Sequence, residues 1–98
     1  MMLAVGDGEL RARLAALLSD HGVEAVEPGP AVLDLLERRG CFRLLVLFEV
    51  APDVAALDLL QAARQRRGDV GVIVLSARPT IEHATEAIRR GAEDFVAV

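Results

Sequence analysis

The sequence lacks lysine, tryptophan and tyrosine altogether, and it contains one cysteine among 98 residues. A single Cys41 cannot form an internal disulfide, and with only His21 and His83 beside it the chain has no ligand spacing typical of zinc. We therefore expect no metal site and a structural role for Cys41. All eleven positive charges are arginines, so any site that requires a lysine cannot be assembled from this chain.

Long apolar runs are also missing, and the start of the chain has no basic flank. We therefore expect neither a membrane span nor a signal peptide, and a cytoplasmic location without membrane contacts. The net charge of −4 argues against direct nucleic-acid binding, because backbone phosphates must be neutralised by clustered cations. A hydrophobic content of 53% is sufficient for the core of one small globular domain.

Glycines mark the predicted ends of the helices. Four helical patterns end at a glycine that is followed by an apolar run, at Gly22, Gly40, Gly68 and Gly91. Glycine just past a helix can adopt the left-handed conformation that turns the chain into the next strand. Arginine doublets precede the last three of these glycines. We interpret them as favourable partners of helix C-termini, with a basic binding patch as the alternative.

The apolar periodicity predicts five strands that alternate with four helices. Strands are predicted near residues 2–6, 23–27, 44–50, 71–76 and 94–98, and helices near 9–21, 31–39, 54–66 and 80–90. Runs such as "LLVLF" and "VGVIVL" are apolar on both strand faces, which indicates a parallel sheet covered on both sides, a doubly wound α/β domain. Helical stripes are expected to face the sheet; their members are Leu10, Leu14, Leu17 and His21, and Ile81, Ala84, Thr85 and Ile88.

One interpretation of the first strand and helix is a dinucleotide site. Gly6 and Gly8 follow a strand and open a helix, and Glu24 and Glu27 lie about 20 residues further on, where a ribose-binding acid is expected. Two features argue against it. Arg11 stands where a third glycine would allow close packing, and Asp7 would place a carboxylate beside an anionic pyrophosphate.

A second interpretation comes from a resemblance that covers essentially the whole chain. From "MLAVGDGELRARLAALLSDHGVEAVE" through "FRLLVLFEVAPDVAALDLL" to "VGVIVLSARPTIEHATEAIRRGAEDFVAV", the sequence resembles the receiver domains of bacterial two-component response regulators. The stretch "TIEHATEAIRRGAEDF" is similar to receivers of nitrogen-regulator-class activators. This resemblance implies a flavodoxin-like sheet of order 2-1-3-4-5, five helices, Mg²⁺ binding, and phosphoryl transfer from a histidine kinase to one aspartate.

The resemblance places a hydrocarbon at the phosphoacceptor position. Family members carry the acceptor aspartate four residues before a proline, which is Pro52 here, and the position is occupied by Phe48. A benzyl group cannot be phosphorylated in any protonation state. We interpret Phe48 as filling the space of the lost acceptor and metal with apolar surface, and the alternative is simple core filling.

Other positions of the family's site are also altered. Gly6 replaces one acid of the pair after the first strand, whereas Asp7 keeps the other, and Ser76 matches the family's switch hydroxyl. Val98 occupies the position of the lysine that would stabilise the phosphoryl oxygens. One acid without the acceptor oxygen is a poor Mg²⁺ site, so we expect neither metal nor cofactor.

Three acidic residues near this edge need separate interpretation. Glu49 could imitate a phosphoryl group, but strand alternation argues that it points away if Phe48 faces the old pocket. We expect Asp53 to be a loop acid or helix cap, Asp58 a solvated helix residue, and His83 an exposed helix residue.

The family's fifth helix has no counterpart, since the sequence stops at "DFVAV". We expect an uncovered sheet face near the last strands, and either a chain that is the N-terminal part of a longer regulator or two copies that cover each other's exposed face. We interpret the chain as a non-enzymatic pseudo-receiver that acts without phosphorylation, through self-association, an attached output domain or a sensor protein. The alternative is a residual phosphoacceptor that uses Asp7, Glu49 or Asp53. By analogy with the family, the predicted partner surface comprises Ile81, Ala84, Ile88, Arg89 and Phe95.

Overall fold

The computed structural model describes residues 1–17, 20, 23–26, 29–38, 42–49 and 54–98. Strands and helices alternate along the chain, as the apolar periodicity predicts. They are β1 (Met2–Val5), α1 (Gly8–Leu17), β2 (Glu24–Val26), α2 (Pro30–Arg38), β3 (Leu44–Glu49), α3 (Val54–Arg66), β4 (Gly71–Ser76), α4 (Ile81–Arg89) and β5 (Asp94–Ala97).

The five strands form one sheet in the order β2-β1-β3-β4-β5, and every pairing is parallel. The predicted doubly wound architecture and strand order are therefore confirmed, with four helices in the described residues. In the register of the sheet, Phe48 lies between Val5 of β1 and Leu75 of β4. The next residue of β3, Glu49, lies opposite Ser76.

Two hydrophobic clusters lie on opposite faces of the sheet. The larger contains buried residues of α2, α3 and α4, and the smaller is covered by α1. Strand β3 contributes to both, because successive side chains point to opposite faces. Leu45 and Leu47 belong to the larger cluster, whereas Val46 and Phe48 belong to the smaller one.

Helix α4 has well-defined ends. Thr80 is its N-cap, and its hydroxyl accepts a hydrogen bond from the backbone N–H of His83 at 3.1 Å. At the other end the N–H of Ala92 donates to Ala87 and that of Gly91 donates to Ile88, which is a Schellman motif. Gly91 has a φ of 114°, so the predicted left-handed glycine after this helix is present.

The face that α4 turns to the sheet differs from the predicted one. Ile81 is 83% exposed and Ile88 is 48% exposed, while the buried residues are His83 and Ala87. The prediction that the isoleucine stripe faces the sheet is therefore wrong. Spacing by three and four gives the period of a helix, but small Ala87 allows close packing and His83 has a polar partner within the core. Leu17 of α1, also predicted to face the sheet, is likewise exposed.

Arginines join neighbouring elements through their side chains. Arg67 donates to the carbonyl oxygens of Leu36 in α2 and Phe42 before β3, and it also pairs with Asp69. The hydrogen bonds from Arg67 lower the pKa of Asp69 from 3.8 to about 2. The contact with Leu36 satisfies a carbonyl in the last turn of α2, which is a neighbouring helix and not the one that ends at the Arg66–Arg67 doublet.

The sheet face opposite α4 is incompletely covered at its β4–β5 end. Ile73 and Leu75 are half-buried there, and Val96 of β5 is exposed. This agrees with the expectation of an uncovered face near the last strands. Within the described ranges, no helix is both long and apolar enough to span a bilayer. Cys41, His21, Pro52 and the expected loop acid Asp53 lie outside the described residues.

Candidate functional site at the carboxyl edge of the sheet

Phe48 is the penultimate residue of β3, at the edge where ligands bind in doubly wound folds. Its ring packs against the smaller hydrophobic cluster, which includes Leu3 and Val5 of β1 together with Leu75 of β4. The side chain is half-buried. It therefore presents carbon atoms at the position where the resemblance expects a reactive carboxylate.

Glu49 points to the opposite face and is only 6% exposed. Its carboxylate contacts the imidazole of His83, which is 9% exposed, and both carboxylate oxygens lie 2.9 Å from Nε2. Because Nε2 carries at most one hydrogen, it can donate to only one of the two oxygens, and the hydrogen-bond geometry is met for Oε2. Oε1 has no hydrogen-bond partner and is buried. The pair joins the end of β3 to the first turn of α4.

Ser76, the residue opposite Glu49 in the sheet, is completely buried and its hydroxyl has no hydrogen-bond partner among the described residues. The candidate switch hydroxyl thus lies on the face of Glu49 and His83, not on the face of Phe48. As predicted, strand alternation places Glu49 and Phe48 on opposite faces of the sheet. We also expected Glu49 to point away from the candidate site, and this is wrong, because Ser76 of that site lies on the same face as Glu49.

The remaining acid of the first strand has a local structural role. Asp7 is exposed, and its Oδ1 accepts hydrogen bonds from the backbone N–H groups of Glu9 and Leu10, at 2.9 and 3.1 Å. It therefore caps α1. Arg11 donates to the carbonyl of Val5 at 2.9 Å, so a guanidinium occupies the turn proposed for a pyrophosphate. These contacts favour a capped helix over a dinucleotide site.

The last strand supplies two further positions of the site. The backbone N–H of Val98 donates to the carbonyl of Ser76 at 2.9 Å, while its side chain is exposed. Phe95 is half-buried and its ring meets the His83 imidazole edge-on, with centroids 5.9 Å apart. Phe95, predicted as a partner-surface residue, therefore packs beneath α4, whereas Ile81, Ile88 and Arg89 are exposed.

His83 is the functional residue that sequence reasoning placed wrongly. It was expected on the solvent face of α4, and it is buried against Glu49 and Phe95. Two signals could have located it: an acid at the end of an apolar strand requires a partner, and His83 is one of only two histidines. Asp58 is exposed as predicted, and it accepts a hydrogen bond from Arg90 at 2.8 Å.

The arrangement limits the chemistry of this edge. Ser76 is not an activated nucleophile, because its buried hydroxyl makes no hydrogen bond to His83. The residues also do not fit the Mg²⁺ site that the resemblance implies, since Gly6 and Phe48 supply no ligand and Asp7 caps a helix. Among the described residues, no group of three or more His, Cys, Asp or Glu side chains could hold a metal.

Comparisons with known proteins agree with this fold. No family model matches the sequence. The chain is 31% identical to the response regulator protein FleR of Pseudomonas aeruginosa over 98 residues, which are 98% of this chain and 20% of that protein. It is 32% identical to the DNA-binding transcriptional regulator NtrC of Rhizobium meliloti over 97 residues, again 98% of this chain and 20% of that protein.

A solved structure, described as that of an atypical orphan response regulator, superposes with a TM-score of 0.77 at 22% identity. The match covers 98% of this chain and 78% of that one, and it supports the fold. The chain spans 12% to 34% of the length of the curated relatives compared with it. Its sequence relatives and its sheet order together establish that the chain belongs to the receiver domains of response regulators, with similarity to those of the NtrC class.

Proposed function

We propose that the chain is a pseudo-receiver, a non-enzymatic signalling module that acts without phosphorylation. The observation that carries this proposal is the position of Phe48 at the carboxyl end of β3, where its ring packs against Leu75 and Val5. Phosphorylation of a receiver requires a carboxylate nucleophile there, and carbon atoms of a benzyl group cannot replace it. The solved structure of the orphan regulator is described as having a phosphorylation-independent regulatory mechanism, so this fold can support such regulation.

The neighbouring positions support the same proposal. Val98 offers no cation to a phosphoryl group, and the chain has no lysine elsewhere. Asp7 uses Oδ1 to hold the N-terminus of α1. The described residues of this edge therefore supply neither the nucleophile, nor a set of metal ligands, nor the cation that phosphoryl transfer needs.

A residual phosphoacceptor is less well supported. The carboxylate of Glu49 is buried and held by His83, so a phosphodonor cannot reach it without movement of α4. Among the described residues the Ser76 hydroxyl has no hydrogen-bond partner, so Glu49 does not accept a hydrogen bond from it in the way that a bound phosphoryl group would. Asp7 is accessible, but Gly6 and Phe48 leave it without the acidic neighbours that assist transfer. Asp53 lies outside the described residues.

The proposed contact surface is the exposed side of α4, which we call the α4 surface and define by Ile81, Ala84, Ile88 and Arg89. The exposed Ile81 and Ile88 lie about two turns apart on one side of the helix, where they form an apolar stripe. Glu82 lies near the N-terminus of α4 and Arg89 near its C-terminus. Two copies that pair these helices antiparallel would place unlike charges opposite each other, which favours self-association.

The wider setting is proposed from the relatives. NtrC and FleR are about five times longer than the matched region, so we infer that this module forms the N-terminal part of a cytoplasmic regulator with an attached output domain. A sensor or another regulatory protein is a further candidate partner. The module itself is not proposed to contact nucleic acid, given its net charge of −4.

Phosphorylation is tested by incubation with Mg²⁺ and acetyl phosphate, followed by intact-mass spectrometry. We expect no phosphoryl adduct on the wild-type chain. The matched variant combines Phe48→Asp, Gly6→Asp and Val98→Lys, and a base-labile adduct on it shows that the assay works on this fold. An adduct of the same lability on the wild-type chain would overturn the proposal.

Self-association is tested by sedimentation of the variants Ile81→Asp and Ile88→Asp. Leu17→Asp is the matched control, because Leu17 is an equally exposed apolar residue on α1. We expect the α4 variants to be monomeric at concentrations where the wild-type chain and the Leu17 variant associate. Equal behaviour of all four proteins would contradict the assignment of the α4 surface.

A further inference from the structure

A groove of about 550 Å³ lies between the C-terminal halves of α3 and α4, and we call it the α3–α4 groove. Its α3 side is formed by Gln61, Arg64 and Gln65, and its α4 side by Glu86, Arg89 and the C-cap Arg90. None of these residues belongs to the candidate site at the carboxyl edge of the sheet. The proposed function leaves the groove without a role, although arginines are concentrated in its lining.

The lining of the groove carries three guanidinium groups and one carboxylate. The carboxylate is that of Glu86, which accepts a hydrogen bond from Arg90 at 2.9 Å, and this contact lowers the pKa of Glu86. Arg90 also donates to Asp58 at 2.8 Å, so its charge is already balanced. Arg64 has no carboxylate partner among the described residues, and Arg89 approaches Glu86 only at 3.5 Å. Arg64 and Arg89 therefore remain available to an anionic ligand.

Arg64 is held in place by the protein itself. Its Nη1 donates to the carbonyl oxygens of Gly68 and Val70, at 3.1 and 2.7 Å. A Cβ on Gly91 would lie 3.1 Å from Cγ of Arg64, so the stem of the arginine lies directly against the glycine backbone. Nε and Nη2 have no partner in the described part of the chain. A ligand that binds these atoms loses little affinity to side-chain ordering, because the guanidinium is already positioned.

We propose that the α3–α4 groove binds an acidic peptide segment of a partner protein. The planar fork of an arginine binds a carboxylate through two parallel hydrogen bonds, so two acidic side chains of the segment would pair with Arg64 and Arg89. Gln61 and Gln65 are exposed and lie about one turn apart on α3. Each of their amides can donate to a peptide carbonyl and accept from a peptide N–H. The groove therefore offers partners to both the side chains and the backbone of an extended acidic segment.

Other anions fit the groove less well. A phosphate ion would fill only a small part of the 550 Å³, and the Glu86 carboxylate would repel so compact a charge. Separate carboxylates on a peptide can contact Arg64 and Arg89 while they avoid Glu86. A nucleic acid requires more clustered cations, and the lining has no aromatic side chain on which bases could stack.

As the docking site of a regulatory partner, the groove rests on the proposed function. Binding of an acidic peptide is a property of the chain alone. Phosphorylation of the wild-type chain would therefore contradict the proposed function and leave peptide binding intact, whereas failure of peptide binding would leave the pseudo-receiver proposal intact.

The test is an NMR titration of the isotope-labelled chain with a capped hexapeptide of alternating glutamate and serine. We expect saturable shifts of the backbone amides of residues 61–65 and 86–91, with weaker binding as the salt concentration rises. A peptide with glutamine in place of glutamate should not saturate these shifts. Inorganic phosphate and a DNA duplex, each at the same ionic strength, should not saturate them at concentrations where the acidic peptide does.

Variants locate the binding to the groove. Arg89→Gln removes an exposed cation and should weaken binding by about two- to fivefold, the usual range for an exposed ion pair. Gln61→Glu should weaken binding similarly, because it adds a negative charge without removing a guanidinium. Glu86→Gln should instead tighten binding, which a merely destabilised groove would not do. Arg13→Gln is the matched control: Arg13 is exposed on α1, which covers the other face of the sheet, so its replacement should not change the affinity.

Several results would overturn the proposal. Equal binding of the glutamine peptide would show that the carboxylates are not recognised. Saturation of the same amides by phosphate or by DNA at lower concentration than by the peptide would assign the groove to a different ligand. Unchanged affinity in Arg89→Gln and Gln61→Glu, or weaker binding in Glu86→Gln, would place the peptide outside the groove.

Discussion

Removal of His83 is the perturbation that most directly measures the buried pair. In His83→Ala the Glu49 carboxylate at the end of β3 loses the hydrogen-bond partner that it contacts at 2.9 Å. The edge-on contact between the imidazole and Phe95 is lost as well. The Ser76 hydroxyl already has no hydrogen-bond partner among the described residues. The variant therefore leaves both buried polar groups of this part of the core, the Glu49 carboxylate and the Ser76 hydroxyl, without a hydrogen bond.

The expected loss is large for a chain of this length. Breaking a buried ion pair on one side costs about 3 to 5 kcal/mol, because the remaining charge is uncompensated. A 98-residue domain has a free energy of unfolding of about 5 to 15 kcal/mol. His83→Ala should therefore remove a third or more of the stability, and the domain is expected to be only marginally folded.

A paired replacement separates loss of charge balance from loss of volume. The double variant Glu49→Leu with His83→Phe removes both charges and keeps apolar volume, so its stability should lie within about 2 kcal/mol of wild type. Ser76→Ala is a further control. It deletes a buried hydroxyl that makes no hydrogen bond, so it should be neutral or slightly stabilising.

The measurement is urea denaturation at pH 5.5, with all variants fitted to one denaturant slope. A cost of less than about 1 kcal/mol for His83→Ala would contradict this prediction, because a buried carboxylate that loses its partner destabilises the fold by more than that. A double variant as unstable as the sum of the two single changes would also contradict it, since the two residues would then contribute independently.

Other predictions concern the supports around the site. Gly91→Ala should cost about 1 to 3 kcal/mol in urea denaturation because Gly91 has a φ of 114°, whereas Gly68→Ala, without a positive φ, should cost less. Thr80→Ala should lower stability by about 1 kcal/mol, read as a lower melting temperature, through loss of the α4 N-cap. The pKa of Asp69 in the folded state is about 2, below its ordinary value of 3.8. Its pairing with Arg67 therefore stabilises the fold above about pH 4, and this stabilisation is lost as the pH falls towards 2. The difference in free energy of unfolding between wild type and Asp69→Asn should vanish over that interval.

The elements themselves could be predicted from sequence because their signals are local. The predicted strand near 71–76 and the helix near 54–66 have the observed bounds. An apolar run of β-branched residues and a glycine after a helix both act within a few residues. The parallel arrangement also followed from composition, since strands that are apolar on both faces must be covered on both sides.

The orientation of α4 could not be predicted in the same way. Its sequence carries apolar residues on two sides, with Ile81, Ala84 and Ile88 on one and Ala87 on the other. Periodicity alone favours the larger residues as the buried face. The observed orientation depends on a contact between residues 34 positions apart, Glu49 and His83, and such a contact is not visible in a local pattern.

The site was predicted in part. The resemblance placed Phe48, Ser76 and Asp7 at the carboxyl edge of the sheet, and the structure places all of them there. The face that each side chain occupies required the register between β3 and β4, because a shift by one residue exchanges the two faces. Sequence reasoning therefore identified the edge but not the grouping of Ser76 with Glu49.

The grouping has a consequence for metal dependence. Each described carboxylate of this edge already has a partner: Asp7 accepts hydrogen bonds from the N-terminus of α1, and Glu49 contacts His83. Self-repulsion of an acidic cluster, which a divalent cation relieves, is therefore absent from these residues. We expect the melting temperature of the wild-type chain to be unchanged by millimolar Mg²⁺.

The variant that combines Gly6→Asp with Phe48→Asp restores two carboxylates beside Asp7. It should be less stable than wild type without Mg²⁺ and regain about 2.7 kcal/mol when the cation is present at about 100 times its dissociation constant. A similar rise for the wild-type chain would show that a cation binds at this edge without the two lost acids. In that case the chemistry assigned to Phe48 and Gly6 would have to be abandoned.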